Sequence, residues 1–246
     1  MIQAKNLSKV FPATKKTKEI RAVDGVSFEC KPSEIYGLLG ANGAGKTTTL
    51  RMLATILEPT GGTANVAGYD VIEEPEKVRA NVGFLSTATA LYGRLTAREM
   101  VEYFGRLHGM DGEPLRKAID SLFEILGMND FRNQRCEKLS TGQKQKVSIA
   151  RTLVHDPKVM IFDEPTVGLD VIASRSIVSF IRQCRDRGKT VIFSTHVMTE
   201  AERLCDRIGI IHRGKVLAEG SLAQLRERFA KQDLEDIFVE VLGEQQ

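Results

Sequence analysis

Residues 40–47 read GANGAGKT, and this stretch decides the fold of the 246-residue chain. It follows residues 35–39, IYGLL, an apolar run typical of a buried strand. It leads into residues 46–57, which have the pattern of a helix and are closed by Pro59. A glycine-rich turn between a buried strand and a helix fits the pattern G-x-x-x-x-G-K-S/T in position as well as in letters, which disfavours a chance glycine-rich turn. The stretch therefore predicts a phosphate-binding loop.

The residue types of this loop suit a bound nucleotide. Gly43 and Gly45 let the backbone turn tightly, so that successive N–H groups and the positive end of the following helix face a phosphate. Lys46 adds a full charge for the β- and γ-phosphates, and the Thr47 hydroxyl can ligate Mg²⁺. We expect ATP to bind to eight loop residues: Gly40, Asn42, Gly43, Ala44, Gly45, Lys46, Thr47 and Thr48.

Two carboxylates follow a second apolar run. Residues 159–162, VMIF, lack polar alternation, as does a strand that is covered on both faces, and Asp163 and Glu164 come directly after them. In an open parallel sheet such strand ends lie at the crevice where ligands bind. Alone, the pair could be an ordinary solvated strand end. Beside the glycine loop, Asp163 is predicted to hold Mg²⁺ together with Thr47, and Glu164 to orient or activate water.

The remaining pattern predicts an α/β fold in one domain, residues 1–246. Residues 3–11 and 20–30 favour strands and indicate an N-terminal antiparallel β flap, and apolar runs at 82–86 and 191–193 add strands to a mostly parallel sheet. Between 96 and 155 the pattern changes to amphipathic helix, with a capping box at Thr96 and Glu99, a helix start at Pro114 and a helix end at Gly127. We expect a core with its β flap at 1–95 and 156–220, an inserted helical lobe at 96–155 and a helical tail at 221–246.

Composition argues against several classes of protein. The chain is 42% apolar and 27% charged, and no apolar run approaches the roughly 18 residues that a membrane-spanning helix needs. Its start lacks the apolar region of a secretory signal. The four cysteines lie far apart with no C-x-x-C pair, which disfavours a metal site or a disulfide framework and favours a reducing cytoplasm. Because the net charge is only +3, no nucleic-acid partner is expected.

Residues 139–143, LSTGQ, resemble the signature sequence of ABC ATPases, usually written LSGGQ. Thr141 replaces a glycine, which the backbone tolerates where it does not need a positive φ. Alone, the pentapeptide could be only a helix cap formed by Ser140. Residues 168–170, GLD, follow as the D-loop of the family does, and His196 falls where its switch histidine falls. Together with the glycine loop and the two carboxylates, these motifs stand in the order of the ABC family.

The resemblance covers essentially the whole chain and implies a P-loop NTPase core with ATP and Mg²⁺ as ligands. It implies a head-to-tail homodimer or pseudo-dimer, in which each ATP lies between Lys46 of one subunit and Ser140 and Gly142 of the other. In the family pattern His196 contacts the γ-phosphate and Asp170 contacts the opposing subunit. The remaining nucleotide-facing positions are Gln143 and Phe11, the latter stacking on adenine unless it is an ordinary strand-packing residue.

One position departs from the family. Thr87 stands where a Q-loop glutamine is common, and its side chain is shorter by two bonds, so the usual contact with Mg²⁺ or the attacking water is not predicted for it. Residues 91–99, LYGRLTARE, and 234–238, LEDIF, are most similar to ATP-binding subunits of ABC-2 type exporters, and among these to the sodium-extruding branch. This resemblance implies a separate integral-membrane permease, a location at the cytoplasmic face of the membrane, and export of Na⁺.

Two alternatives remain open at this point. A non-transport ABC ATPase acting on ribosomes or DNA usually carries two ATPase units or a long coiled-coil insertion, which this sequence does not show. A regulatory module that binds ATP but hydrolyses it slowly would follow from Thr87, whereas Glu164 and His196 favour hydrolysis.

Overall fold

The computed structural model describes residues 1–13, 18–86 and 90–243. The strands are β1 (Ile2–Phe11), β2 (Ile20–Cys30), β3 (Ile35–Leu39), β4 (Gly61–Val66), β5 (Tyr69–Asp70), β6 (Val82–Ser86), β7 (Val159–Asp163), β8 (Thr190–Thr195), β9 (Arg207–His212) and β10 (Lys215–Gly220). The helices are α1 (Lys46–Leu53), α2 (Pro75–Asn81), α3 (Ala97–Leu107), α4 (Gly112–Ile125), α5 (Thr141–Leu153), α6 (Val171–Asp186), α7 (Met198–Leu204), α8 (Leu222–Phe229) and α9 (Leu234–Gly243). Thr87 lies outside the described residues.

The strands form two sheets. The first has the order β2-β1-β4-β5 with every neighbouring pair antiparallel, which confirms the predicted β flap. The second has the order β10-β9-β3-β8-β7-β6 and is parallel except for β10. Residues of β3, β7 and β8 are buried throughout, as expected for strands covered on both faces. The fold is therefore the predicted α/β arrangement with a mostly parallel sheet.

The register of the parallel strands places their carboxyl ends together. Leu39, the last residue of β3, is opposite Thr195 of β8, and Ser194 is opposite Asp163 of β7. The glycine loop begins at Gly40, directly after β3. The loop and both carboxylates thus meet at one edge of the sheet, where such folds bind ligands.

Helices α3, α4 and α5 pack around an apolar cluster of their own. This cluster includes Met100 of α3, Ile119 and Phe123 of α4, and Val147 of α5. Helix α3 has the predicted capping box, since the Thr96 hydroxyl accepts a hydrogen bond from the Glu99 amide and the Glu99 side chain reaches back. The structure therefore has the predicted helical lobe, whereas the exact boundaries 96 and 155 stay a prediction.

Two helix ends differ from prediction. Helix α1 ends at Leu53, so the expectation that it continues to residue 57 was wrong. Thr55 takes a left-handed conformation with φ 57°, and the Ile56 amide donates to the Arg51 carbonyl at 2.9 Å. This closure is one that glycine usually makes, so the sequence carried no stop signal there. Helix α4 begins at Gly112, two residues before the predicted Pro114.

The end of α4 and the C-terminal helices agree with the predictions made from the sequence. Gly127 has φ 59° just after α4, and the Met128 amide donates to the Phe123 carbonyl at 2.8 Å. Helices α8 and α9 pack against an apolar cluster that includes Leu39 and Ile208 of the parallel sheet. Within residues 1–13, 18–86 and 90–243, no helix combines the length and the apolar character that crossing a membrane requires.

Candidate functional site

The glycine loop has a backbone that side chains would obstruct. Gly43 and Gly45 have φ values of 79° and 107°, in the left-handed region that favours glycine. A Cβ atom on Gly45 would also lie 2.6 Å from the Ala22 carbonyl oxygen of β2. Helix α1 begins directly after Gly45, so the unpaired amides at its N-terminus belong to the loop. The backbone is therefore shaped to approach an anion closely.

A cavity of about 290 Å³ lies over this loop. Its described lining residues are Ala22, Asn42, Gly43, Ala44, Gly45, Lys46, Thr47, Thr48 and Glu164. The structure thus brings seven of the eight predicted loop residues to one cavity, together with one of the two carboxylates. The eighth, Gly40, lies beneath it and accepts a hydrogen bond from the Lys46 ammonium at 2.7 Å.

Lys46 crosses the loop and reaches the strand ends. Its side chain is buried, and Nζ also donates to the Ala41 carbonyl at 3.1 Å. The same atom lies 3.0 Å from Oε1 of Glu164. The lysine predicted to hold phosphates is therefore paired with the carboxylate predicted to act on water.

Asp163 ends β7 with its carboxylate facing α1. Its Oδ1 atom accepts hydrogen bonds from the Thr47 hydroxyl at 3.0 Å and from the Ser194 hydroxyl at 2.9 Å. A hydroxyl and a carboxylate oxygen in contact are the kind of donors that Mg²⁺ prefers, so the chemistry of Thr47 and Asp163 fits this ion. The geometry brings the two predicted metal ligands together.

Glu164 adopts an unusual backbone conformation with φ 47°. Its Oε1 atom lies 3.3 Å from Nδ1 of His196, which follows β8. Burial alone would raise the pKa of Glu164, but hydrogen bonds and charge from Lys46 and His196 outweigh it, and the pKa lies below its ordinary value. The carboxylate is therefore ionised at neutral pH, and the two predicted catalytic side chains are in contact.

Sequence reasoning missed Ser194 and Ala22. Ser194 is fully buried and accepts a hydrogen bond from the Glu164 amide at 3.0 Å. A signal was present, because a serine and a threonine end the otherwise apolar run of β8. Ala22 lines the cavity through the fold of the β flap, and no local pattern indicates it.

The signature residues lie at the N-terminus of α5. Ser140 caps this helix: its hydroxyl accepts from the Gln143 amide at 3.3 Å, and the Gln143 side chain accepts from the Ser140 amide at 2.9 Å. Thr141 opens α5 without a positive φ, as expected for a tolerated replacement of glycine. A Cβ atom on Gly142 would meet nothing within 4 Å. Neither these residues nor their neighbours are among the described residues that line the loop cavity.

The signature helix and the D-loop position make one local contact each. The Gln145 side chain of α5 donates to the Pro165 carbonyl at 3.3 Å, which joins the signature helix to the segment after Glu164. Asp170 accepts a hydrogen bond from the Ala173 amide at 2.9 Å, at the start of α6. The D-loop position is thus a helix cap within this chain.

Phe11 lies at the end of β1, paired with Ile20 of β2. Its side chain is 39% exposed, and the Lys9 ammonium lies 5.6 Å from its ring centroid. Phe11 is therefore an exposed side chain at the end of β1, and its stacking on adenine stays a prediction. Ile20 is two residues from Ala22, which lines the cavity.

A glycine loop carrying a buried lysine, set between a parallel strand and a helix and beside two carboxylates, defines the class of P-loop nucleotide-binding proteins. A family model described as ABC transporter matches residues 23–167, more than half of the chain. The chain belongs to the ABC transporter family, as an ATP-binding subunit of the kind that hydrolyses ATP.

Comparison with individual proteins agrees with this family. The chain is 43% identical over 228 residues to the ABC transporter ATP-binding protein NatA of Bacillus subtilis (strain 168), covering 92% of this chain and 93% of NatA. It is 42% identical over 207 residues to the Nod factor export ATP-binding protein I of Paraburkholderia xenovorans (strain LB400), covering 84% and 68%. A solved dimeric ATP-binding cassette in a post-hydrolysis state, bound to ADP and Pi, is similar with a TM-score of 0.80 and 28% identity, covering 90% of this chain and 98% of the other.

Proposed function

We propose that this chain powers export through a separate membrane permease, working as a head-to-tail dimer of ATP-binding subunits. The dimer is proposed because one chain brings only part of the predicted ATP site together. The loop, Lys46 and Glu164 share one cavity, whereas Ser140 and Gly142 lie outside it. The second surface that would enclose the γ-phosphate is therefore supplied by the α5 N-terminus of another subunit, whose amides favour an anion. The dimeric relative bound to ADP and Pi supports this arrangement.

Each residue near the cavity has a proposed role in hydrolysis. The loop amides and Lys46 hold the phosphates, and Phe11 stacks on adenine at the exposed end of β1. Thr47 and Asp163 would hold Mg²⁺, which supplies positive charge to neutralise the phosphates. Glu164 orients the attacking water and accepts its proton, and His196 contacts the γ-phosphate. Gln143 faces the nucleotide, and Asp170 contacts the opposing subunit.

We propose that the permease docks in a groove between the sheet core and the helical lobe. This cavity has a volume of about 620 Å³ and is bordered by Ser86 and Ala90, on either side of the Thr87 position. Among its described lining residues none is acidic, and the basic or titratable ones are Arg51, Arg79, His108, Arg151 and His155. Leu107 of the lobe and Tyr92, whose ring packs against Tyr103 of the lobe, are more than half exposed nearby. Basic and exposed apolar side chains together suit a protein partner at the cytoplasmic face of the membrane.

Na⁺ is the cargo that we propose, because residues 91–99 and 234–238 resemble the sodium-extruding branch of these exporters. The proposed division into a core with β flap at 1–95 and 156–220, a lobe at 96–155 and a tail at 221–246 would let the groove change shape as the dimer closes.

The test is affinity capture of the chain from detergent-solubilised membranes, with and without ATP. We expect a multi-spanning membrane protein to be recovered. Recovery of only ribosomes or DNA would instead support the non-transport alternative. The same preparation of Glu164→Gln should bind ATP, turn it over at least 100-fold more slowly and elute as a dimer in size-exclusion chromatography. Normal turnover in this variant would remove Glu164 from its role.

A further inference from the structure

Ser194 connects the two carboxylate residues of the site. It is a fully buried polar residue in β8, in register with Asp163 of the neighbouring β7. Its hydroxyl oxygen is 3.0 Å from the Glu164 amide and 2.9 Å from Oδ1 of Asp163. One hydroxyl group is thus bonded to both residues.

The direction of each hydrogen bond is fixed by chemistry. A backbone amide can only donate, so the Ser194 oxygen accepts from Glu164. The single Ser194 proton is donated to Oδ1 of Asp163. The hydroxyl uses both of its capacities at once, and neither alanine nor a purely accepting group could replace it. Because Asp163 Oδ1 also accepts from Thr47, the chain of bonds continues to α1.

The bond to the Glu164 amide supports a strained conformation. Glu164 has φ 47°, a region that side chains other than glycine rarely occupy unless the surroundings hold them there. The Glu164 backbone turns directly after Asp163. In this conformation the Glu164 side chain contacts Lys46 and His196. A shift of the Glu164 amide would therefore move the carboxylate relative to the loop.

We propose that Ser194 is a positioning residue for ATP hydrolysis, which sets Asp163 and Glu164 in one geometry relative to the loop. The proposal rests on the roles of Asp163 and Glu164 proposed above. Ser194 acts through these two residues. Its loss should therefore lower turnover and weaken the benefit that Mg²⁺ gives to ATP binding, while the loop itself still binds nucleotide.

The test compares Ser194→Ala with Ser194→Thr, which keeps a hydroxyl, and with the control Thr190→Val. Thr190 is buried at the other end of β8, and its hydroxyl accepts a bond from the N-terminus at 3.1 Å. We expect Ser194→Ala to lower kcat roughly tenfold or more, as a lost bond to a charged group does, with only the several-fold rise in KM for Mg-ATP that follows from weaker Mg²⁺-dependent binding. Ser194→Thr should retain most of the turnover, and Thr190→Val should retain all of it.

Equilibrium binding of ATP gives a second readout without turnover. In EDTA, Ser194→Ala should bind ATP as the unaltered chain does, whereas the gain in affinity on adding Mg²⁺ should shrink several-fold. An unchanged kcat in Ser194→Ala would overturn the proposal. So would a loss of kcat in Thr190→Val as large as that in Ser194→Ala, or a loss of ATP affinity in Ser194→Ala that is as large in EDTA as in Mg²⁺. Glu164→Gln, measured in parallel, separates failure of this proposal from failure of the proposed function. If Glu164→Gln hydrolyses ATP normally, the proposed role of Glu164 in hydrolysis is wrong.

Discussion

Lys46 and Glu164 form an ion pair, with 3.0 Å between Nζ and Oε1, at the phosphate loop. In the proposed site the same lysine also holds the phosphates of ATP. A bound nucleotide must therefore compete with Glu164 for Lys46. A phosphate that draws Lys46 away would remove one of the two partners that hold the pKa of Glu164 low, the other being His196, so that pKa would rise.

This competition predicts that Glu164→Gln binds ATP more tightly than the unaltered chain in EDTA. Glutamine has no charge to hold Lys46, so the expected gain in affinity is roughly two- to tenfold. Isothermal titration calorimetry measures it. Glu219→Gln is the control, because Glu219 pairs with Arg207 at 2.8 Å and is not among the described residues of the loop cavity. Equal affinity in Glu164→Gln and the unaltered chain would show that the ion pair does not oppose binding.

Ser140 is expected to combine a local and an intermolecular role. Ser140→Ala removes the cap of α5 and should lower the free energy of unfolding by about 1 kcal/mol. It should also abolish ATP-dependent dimer formation in the Glu164→Gln background. Ser221→Ala is a matched control, because Ser221 and Gln224 form the same capping box at α8. The control should lose similar stability and still dimerise; an equal loss of dimer in both variants would reduce Ser140 to a helix cap.

Gly142→Ala separates an effect on the stability of the subunit from an effect on dimer formation more clearly than Ser140→Ala does. An added Cβ meets nothing within 4 Å, and Gly142 lies in a helix, so the folded subunit should keep or slightly raise its stability. The proposed partner nucleotide approaches this position closely, so ATP-dependent dimerisation should weaken at least tenfold. Thermal unfolding and size-exclusion chromatography check the two effects. A stable variant that dimerises normally would contradict the proposed interface.

The groove proposed for permease docking is lined by a pair of histidines, which should make the stability of the fold sensitive to acid. The rings of His108 and His155 stack with centroids 3.6 Å apart. Burial, with repulsion from His108, lowers the pKa of His155 to about 4. In an unfolded chain this pKa is about 6.5, so between these values the unfolded chain binds a proton that the folded chain does not. The contribution of neutral His155 to the free energy of unfolding should therefore be fully present above about pH 6.5 and be lost progressively as the pH drops to about 4. Urea unfolding at several pH values measures this change.

Replacing either histidine should change this profile. His155→Gln removes the titrating ring and should flatten the fall in stability below pH 6.5. His108→Gln removes a repulsive neighbour, so the pKa of His155 measured by NMR should rise. If His155→Gln loses stability as steeply as the unaltered chain, other groups are responsible for the acid sensitivity.

The sequence predicted well those features that depend on neighbours along the chain. The loop at 40–47, the strand ending at Asp163 and the caps formed by Thr96 and Gly127 all follow from local residue types. The contact of Glu164 with His196 depends on β7 and β8 lying side by side, which hydrophobic periodicity does not indicate.

Other features depend on contacts between distant segments. The hydroxyl of Ser194 bonds to a carboxylate 31 residues away, across the register of β7 and β8. The end of α1 at Thr55 uses a left-handed residue that is not glycine, which propensity disfavours. The ion pair of Lys46 with Glu164 forms only when the chain is folded. The sequence motif identifies the lysine but does not show which side chain it contacts.

The left-handed backbone of Glu164 has a consequence for variants at this position. A glutamate in that conformation costs the fold about 1 kcal/mol, which glycine avoids and asparagine largely avoids. Glu164→Gly and Glu164→Asn would remove this backbone cost, but they would also remove the ion pair that the carboxylate forms with the buried Lys46. Neither replacement is therefore expected to gain stability, and both should lose turnover. Glutamate can persist in this strained conformation because the contacts of its side chain offset the backbone cost.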